Sequence, residues 1–259
     1  MKTLKLILGL ALTCFALNSA NAQQAVQVTF ENLQPGDGFY LTPVFAGFHD
    51  GSFDVFDAGT AASASLEAVA EDGMFAGLQA DFTANGVGQQ GLFTSPAGFP
   101  GAPLFDPGES VSQIFTVDTN SRFLNFAAML LPTNDNFIGN DNAIAILDAA
   151  GVFTGNQTFD FTLADVYDAG TEDNTATGLP FSPVGGSDTA TVGGVVSSIN
   201  PGTDLAVFDG LATAAGTNIN LNGALDSALL RVTITAVPEP SSLALLGALG
   251  MVGFVRRRR

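Results

Sequence analysis

The sequence holds one histidine, one cysteine and no tryptophan, and each scarcity removes a class of chemistry. With His49 alone, zinc catalysis lacks its usual ligands, and a Ser-His-Asp triad would have to be built on that one residue. No Gly-x-Ser-x-Gly elbow accompanies it in the body of the chain. The cysteine, Cys14, stands in a removable N-terminal segment, so no disulfide staples the exported body. Tyrosine is limited to Tyr40 and Tyr167, which leaves few stacking platforms for a sugar-cleaving groove. Basic residues are scarcest in the middle. Of eight, Lys2 and Lys5 open the chain and Arg256 to Arg259 close it, leaving Arg122 and Arg231. All 25 acids except Glu239 lie between Gln23 and Val237, so that body carries 24 acids against 2 bases, a net of about -22. Such a surface repels phosphate backbones and anionic headgroups, which argues against nucleic-acid binding.

What is present begins with two terminal signals. Lys2 and Lys5 precede the apolar run Leu6 to Leu12, and Ala20-Asn21-Ala22 gives a small-x-small cleavage pattern before Gln23. Residues 1–22 therefore read as a secretory signal peptide. At the other end Pro238-Glu239-Pro240 is followed by the apolar run Leu243 to Val255 and the four arginines, a short transmembrane helix with a basic cytoplasmic end. This tail, 238–259, resembles the PEP-CTERM sorting signal of Gram-negative bacteria. The resemblance implies an exosortase as sorting partner, export through the inner membrane, transient anchoring, and delivery to the cell surface or extracellular matrix.

Between the signals, Val26, Val28 and Phe30 alternate with polar residues, as do Leu230, Val232 and Ile234, so period-2 strands frame the body. Further runs lie at Ile114 to Val117, Phe123 to Leu131 and Phe159 to Leu163, separated by turn sequences such as Gln34-Pro35-Gly36-Asp37-Gly38 and Asp106-Pro107-Gly108. One short helix is expected over Ala64 to Asp72, with Ser63 capping its start and Gly73 just past its end. The pattern predicts an all-β, antiparallel β-sandwich in one domain, 25–237. Within it the Gly- and Ser-rich stretch 183–222 reads as an insertion with extra edge strands or as long loops.

Two polar breaks stand out. Met129 to Asp141 and Asp168 to Glu172 each end an apolar run in carboxylates, amides and glycine, which suits a hard cation. Asp168 and Glu172 are four apart across an Ala-Gly-Thr turn, a spacing that can aim both inward. The spacing around Asp141 does not fit an EF-hand loop, so Asn140 and Asp141 are expected to shape the turn. The sequon Asn156-Gln157-Thr158 reads as coincidence beside a bacterial sorting tail.

Thr42-Pro43-Val44, His49-Asp50-Gly51, Phe53 to Phe56, Ala62-Ser63 and Ala70-Glu71-Asp72-Gly73 occur in the order of the spondin domain, the amino-terminal module of F-spondin, in its bacterial form. Met129, Pro132, Asp135 and Gly139 are in register with its Met-x-x-Pro-Ser-Pro-Asp-Trp-x-Val-Gly segment, and Asp168 to Glu172 with its Asp-Ala-Gly-Thr-Asp. Asn136 replaces the family's Trp and Glu172 an Asp. The resemblance implies a C2-like sandwich holding one Ca²⁺, with Asp135, Asp168 and Glu172 as its carboxylate ligands.

The expectation is a non-enzymatic, calcium-binding protein of adhesion or biofilm matrix organisation, with an unidentified polysaccharide, protein or lipid partner. His49 beside Asp50 is then structural. The competing reading is a secreted hydrolase of surface polysaccharide using a carboxylate pair, a pattern that 24 acids produce by chance.

Overall fold

A computed structural model describes residues 23–95, 99 and 101–238. The expected signal peptide, 1–22, and all but the first residue of the expected C-terminal tail lie outside these. Among the described residues no helix is long and apolar enough to cross a membrane.

The described residues form twelve strands. The first six are β1 (Gln24–Asn32), β2 (Tyr40–Leu41), β3 (Val44–His49), β4 (Gly88–Phe93), β5 (Ser110–Val117) and β6 (Phe123–Leu131). The rest are β7 (Asn136–Gly139), β8 (Ile144–Ala145), β9 (Gln157–Thr162), β10 (Val166–Asp168), β11 (Ser197–Ser198) and β12 (Ala228–Ala236). One sheet has the order β5-β1-β12-β9; the other runs β11-β10-β7-β6-β3-β4, with β2 and β8 also on β6. Every pairing between these strands is antiparallel. The all-β sandwich expected from the alternation is what forms.

In the first sheet the period of two does the work. Val26, Val28, Phe30, Val232 and Ile234 face inward and are fully buried, while Thr29, Glu31, Arg231 and Thr233 alternate with them. Across the interior they meet Ala46, Phe48, Leu124, Phe126, Ala128 and Ile138. The second sheet shows no such polarity because both its faces are covered. Phe45, Ala127 and Phe137 point the other way, into a second core with Leu66, Val69, Leu78 and Phe82. A strand buried on both sides loses its alternation and reads as an unbroken apolar run.

That outer cover is a pair of helices, α1 (Ala64–Asp72) and α2 (Ala76–Asn85). The first has the expected bounds: Ser63 accepts from the Leu66 amide, and Gly73 closes the helix at φ 63°. The second is additional to the one helix expected. It starts at Phe75 with no side-chain cap, and buries only Leu78 and Phe82. It lies close on β3, since a Cβ at Gly47 would come within 2.9 Å of the Phe82 ring. The stretch 183–222 is mostly loop, with β11, a one-turn helix α3 (Pro201–Asp204) and the start of α4 (Leu221–Leu225).

Candidate metal centre

β6 ends at Leu131, and the chain turns through Pro132 to Asp135 before returning as β7 at Asn136. Thr133 ties this turn, its hydroxyl donating to the Leu130 carbonyl at 2.6 Å and accepting from the Asn136 amide. β10 pairs with β7 so that Asp168 stands opposite Asn136. The two polar breaks are therefore neighbours on adjacent strands. The Ala169 amide donates to the Asp135 carbonyl at 3.1 Å, which locks them together.

Asp135 is completely buried. Its Oδ2 accepts from the Thr171 amide at 2.8 Å, the Thr171 hydroxyl at 3.2 Å and the Glu172 amide at 3.0 Å. Its Oδ1 is buried and has no partner among the described residues. Asp168 accepts from the Gly170 amide through Oδ1 and from the Asn174 side chain through Oδ2, each at 2.7 Å. Asn136 donates to Asn174 at 2.7 Å, and its own Oδ1 is a second buried oxygen without a partner. Gly170 adopts φ 71°, and a Cβ there would lie 2.6 Å from backbone atoms of Val195, so this turn admits only glycine.

Among the described residues the charges at this corner are all of one sign. Burial, then the Asp135 charge, raises the Asp168 pKa to about 6. Burial, then a hydrogen bond with Asp188 and the charges of Glu71, Asp188 and Asp135, raises Glu172 to about 8. Asp135 is itself raised by burial, against the opposing pull of the Glu172 and Thr171 amides. Among the described residues the one ion pair, Arg231 with Asp160, is on the other sheet.

Of the three sequence candidates, Asp135 and Asp168 share the corner. Glu172 gives Asp135 its backbone amide while its side chain engages Asp188. Among the described residues no three His, Cys, Asp or Glu side chains group as a ready-made metal site. The donor set is wider than carboxylates: two buried unpartnered oxygens, Asp135 Oδ1 and Asn136 Oδ1, beside acids with no basic neighbour. All are hard oxygens, which fits Ca²⁺ and not zinc. The roles of Asn136, Asn174, Glu71 and Asp188 were not foreseen. Asn136 had shown itself only as a departure from the family pattern.

His49 is structural in its contacts. It is buried, its Nδ1 accepts from the Gly51 amide and its Nε2 lies 2.6 Å from Asn125 Oδ1. Burial lowers its pKa. Asn140 and Asp141 shape their turn as expected. Asn140 bonds to Leu124, Phe126 and Asn142, and Asp141 accepts from the Ala58 amide. Asn156 of the sequon caps the Ala236 amide.

The model of the Spondin_N family matches residues 25–191. That of the PEP-CTERM protein-sorting motif matches residues 236–259. No curated protein matches the chain.

Proposed function

The chain belongs to the Spondin_N family, and we propose that it binds Ca²⁺ at the Asp135–Asp168 corner to order loops for adhesion in an extracellular matrix. The sorting motif marks it as exported, recognised by an exosortase and membrane-anchored on its way to the cell surface. A Gram-negative envelope is the setting that such a motif suggests. Spondin_N is not a known enzyme family, in keeping with a binding role.

The observation that carries the metal reading is Asp135 Oδ1, a carboxylate oxygen fully out of solvent and without a hydrogen bond among the described residues. Burying such an atom unpaired is costly unless a cation meets it. Asp135, Asp168 and the Asn136 amide oxygen would hold the ion, with Glu172 joining once its bond to Asp188 is released. A bound Ca²⁺ would supply the positive charge that the corner lacks. The protein's own part is to fix the carboxylates: three donors pin Asp135, and two pin Asp168. Calorimetric titration of the full-length chain with Ca²⁺, beside Asp135→Ala and Asp168→Ala, tests the assignment. Equal heats in all three, with the melting of none shifted by Ca²⁺, would reject it.

A further inference from the structure

At the opposite end of β6 from that corner, two clefts flank the loop 51–55. One, of about 370 Å³, is lined by His49, Ser52, Phe53, Asp54, Phe123 and Asn125 among others. The second, of about 290 Å³, is lined by Ser52, Phe53, Asp54, Ser63, Asp81 and Asn85 among others. Ser52, Phe53 and Asp54 belong to both and form a shared wall.

The floor of the larger cleft is a fixed polar chain. Because His49 Nδ1 accepts from the Gly51 amide, Nε2 carries the proton and donates to Asn125. Asn125 Nδ2 donates in turn to the Asn140 carbonyl at 2.9 Å and to Asp54 Oδ1 at 3.2 Å. His49 and Asn125 are thereby saturated, and their effect is to hold Asp54. Asp54 Oδ2 accepts no hydrogen bond among the described residues, nor does the Asp81 carboxylate. Ser52 Oγ accepts from the Val87 amide and keeps its own hydrogen to donate. Phe53 and Phe123 add apolar surface; Arg122 lies over the Phe123 ring at 5.0 Å but lines neither cleft.

This lining selects its occupant. Free acceptors outnumber free donors, so the ligand must be rich in hydroxyl or ammonium hydrogens, with C–H faces to lay against phenylalanine. Among the described residues no cation lines the clefts, and Asp57 and Asp141 add negative charge near Asp54. A ligand bearing carboxylates is repelled. Two clefts sharing one wall fit a chain better than a single small molecule. We propose that this end of the protein binds a glycan strand free of acidic groups, draped across the Ser52–Asp54 wall. The inference takes from the matrix reading only the setting in which such a strand is met, and it does not involve the metal corner.

The test is calorimetry of the full-length chain in detergent with chitosan, cello- and alginate oligomers, in Ca²⁺ and in EDTA. Binding of chitosan or cello-oligomers is expected in both buffers, growing from the dimer to longer oligomers, with none for alginate. Chitosan alone would identify ammonium pairing, and both together hydroxyl recognition. Asp54→Ala and Asp81→Ala should each weaken binding about ten-fold, roughly 1.4 kcal/mol. Asp81 makes no side-chain hydrogen bond among the described residues, so its loss leaves the fold intact, and Asp226→Ala should change nothing. Failure of both acid-free oligomers to bind, or binding unchanged in both cleft variants, overturns the proposal. Binding that requires Ca²⁺ and disappears in Asp135→Ala also overturns it, while leaving the metal corner standing.

Discussion

Asp135 and Thr171, 36 positions apart in sequence, are joined twice through a single oxygen, the Thr171 amide and hydroxyl both donating to Asp135 Oδ2. One carboxylate thus closes the second loop over the first, and its other oxygen is left for something else. Asp135→Ala removes the buried acceptor of three partly buried donors, and the metal-free protein should lose about 3 kcal/mol, read from urea unfolding. An unchanged midpoint would show that the loops are held by other contacts.

The acid pKa values set a pH response for the metal-free chain. Asp168 and Glu172 are raised from 3.8 and 4.5 to about 6 and about 8, chiefly by burial. The folded state therefore holds more protons than the unfolded one between about pH 4 and pH 8, and stability falls as pH rises through that window. Melting in EDTA should be higher at pH 5 than at pH 8, and Ca²⁺ should flatten the slope while releasing protons at pH 7. A flat profile in EDTA would contradict this.

His49 acts with the opposite sign on the acid side. Its folded pKa lies below 6.5, so the neutral ring is the stable form and stability declines as pH falls below that value. His49→Ala strands the Gly51 amide and Asn125 Oδ1, and should cost about 2 kcal/mol at pH 7. A loss confined to low pH would instead mark the ring as a titrating switch.

Gly170→Ala should lower stability by about 2–3 kcal/mol, since it combines left-handed backbone with a collision against Val195. It should weaken Ca²⁺ binding as well, because the Gly170 amide orients Asp168. Normal affinity in this variant would mean the turn tolerates displacement.

Arg231 bonds both oxygens of Asp160, at 2.7 and 2.8 Å, yet the two side chains remain 39% and 45% exposed. Arg231→Ala should cost less than about 1 kcal/mol, and the difference should shrink in high salt. A larger, salt-insensitive loss would point to packing by the arginine stem.

How far the sequence disclosed this molecule depends on whether each signal is local. Helix α1 is bounded by Ser63 and Gly73, whose capping chemistry lies within a few residues of the helix itself. Helix α2 has no capping side chain and only two buried residues, so nothing marked it off from the loops around it. Strand β3 is buried on both faces, and Gly47 is small enough to admit Phe82, a partner 35 positions on. The candidate corner divides in the same way. Asp135 and Asp168 end apolar runs and were legible. Glu71 and Asp188, which bear on Glu172, reach it from a helix and a distant loop, where no spacing rule applies.

The pairing of β1 with β12 carries a mechanical meaning. Val26 faces Ala236, and the Val237 amide still bonds the Ala25 carbonyl, so the sorting tail departs from the end of the sandwich where β1 begins. Leu131, which leads into the Asp135 corner, is at the far end beside Tyr40. A protein tethered by its tail and gripped at that corner is pulled along the length of its strands. Strand β12 lies between β1 and β9, so both of its ladders would resist in shear, all rungs at once. Pulling across the sheet would break them singly; this geometry makes the tether the strong direction.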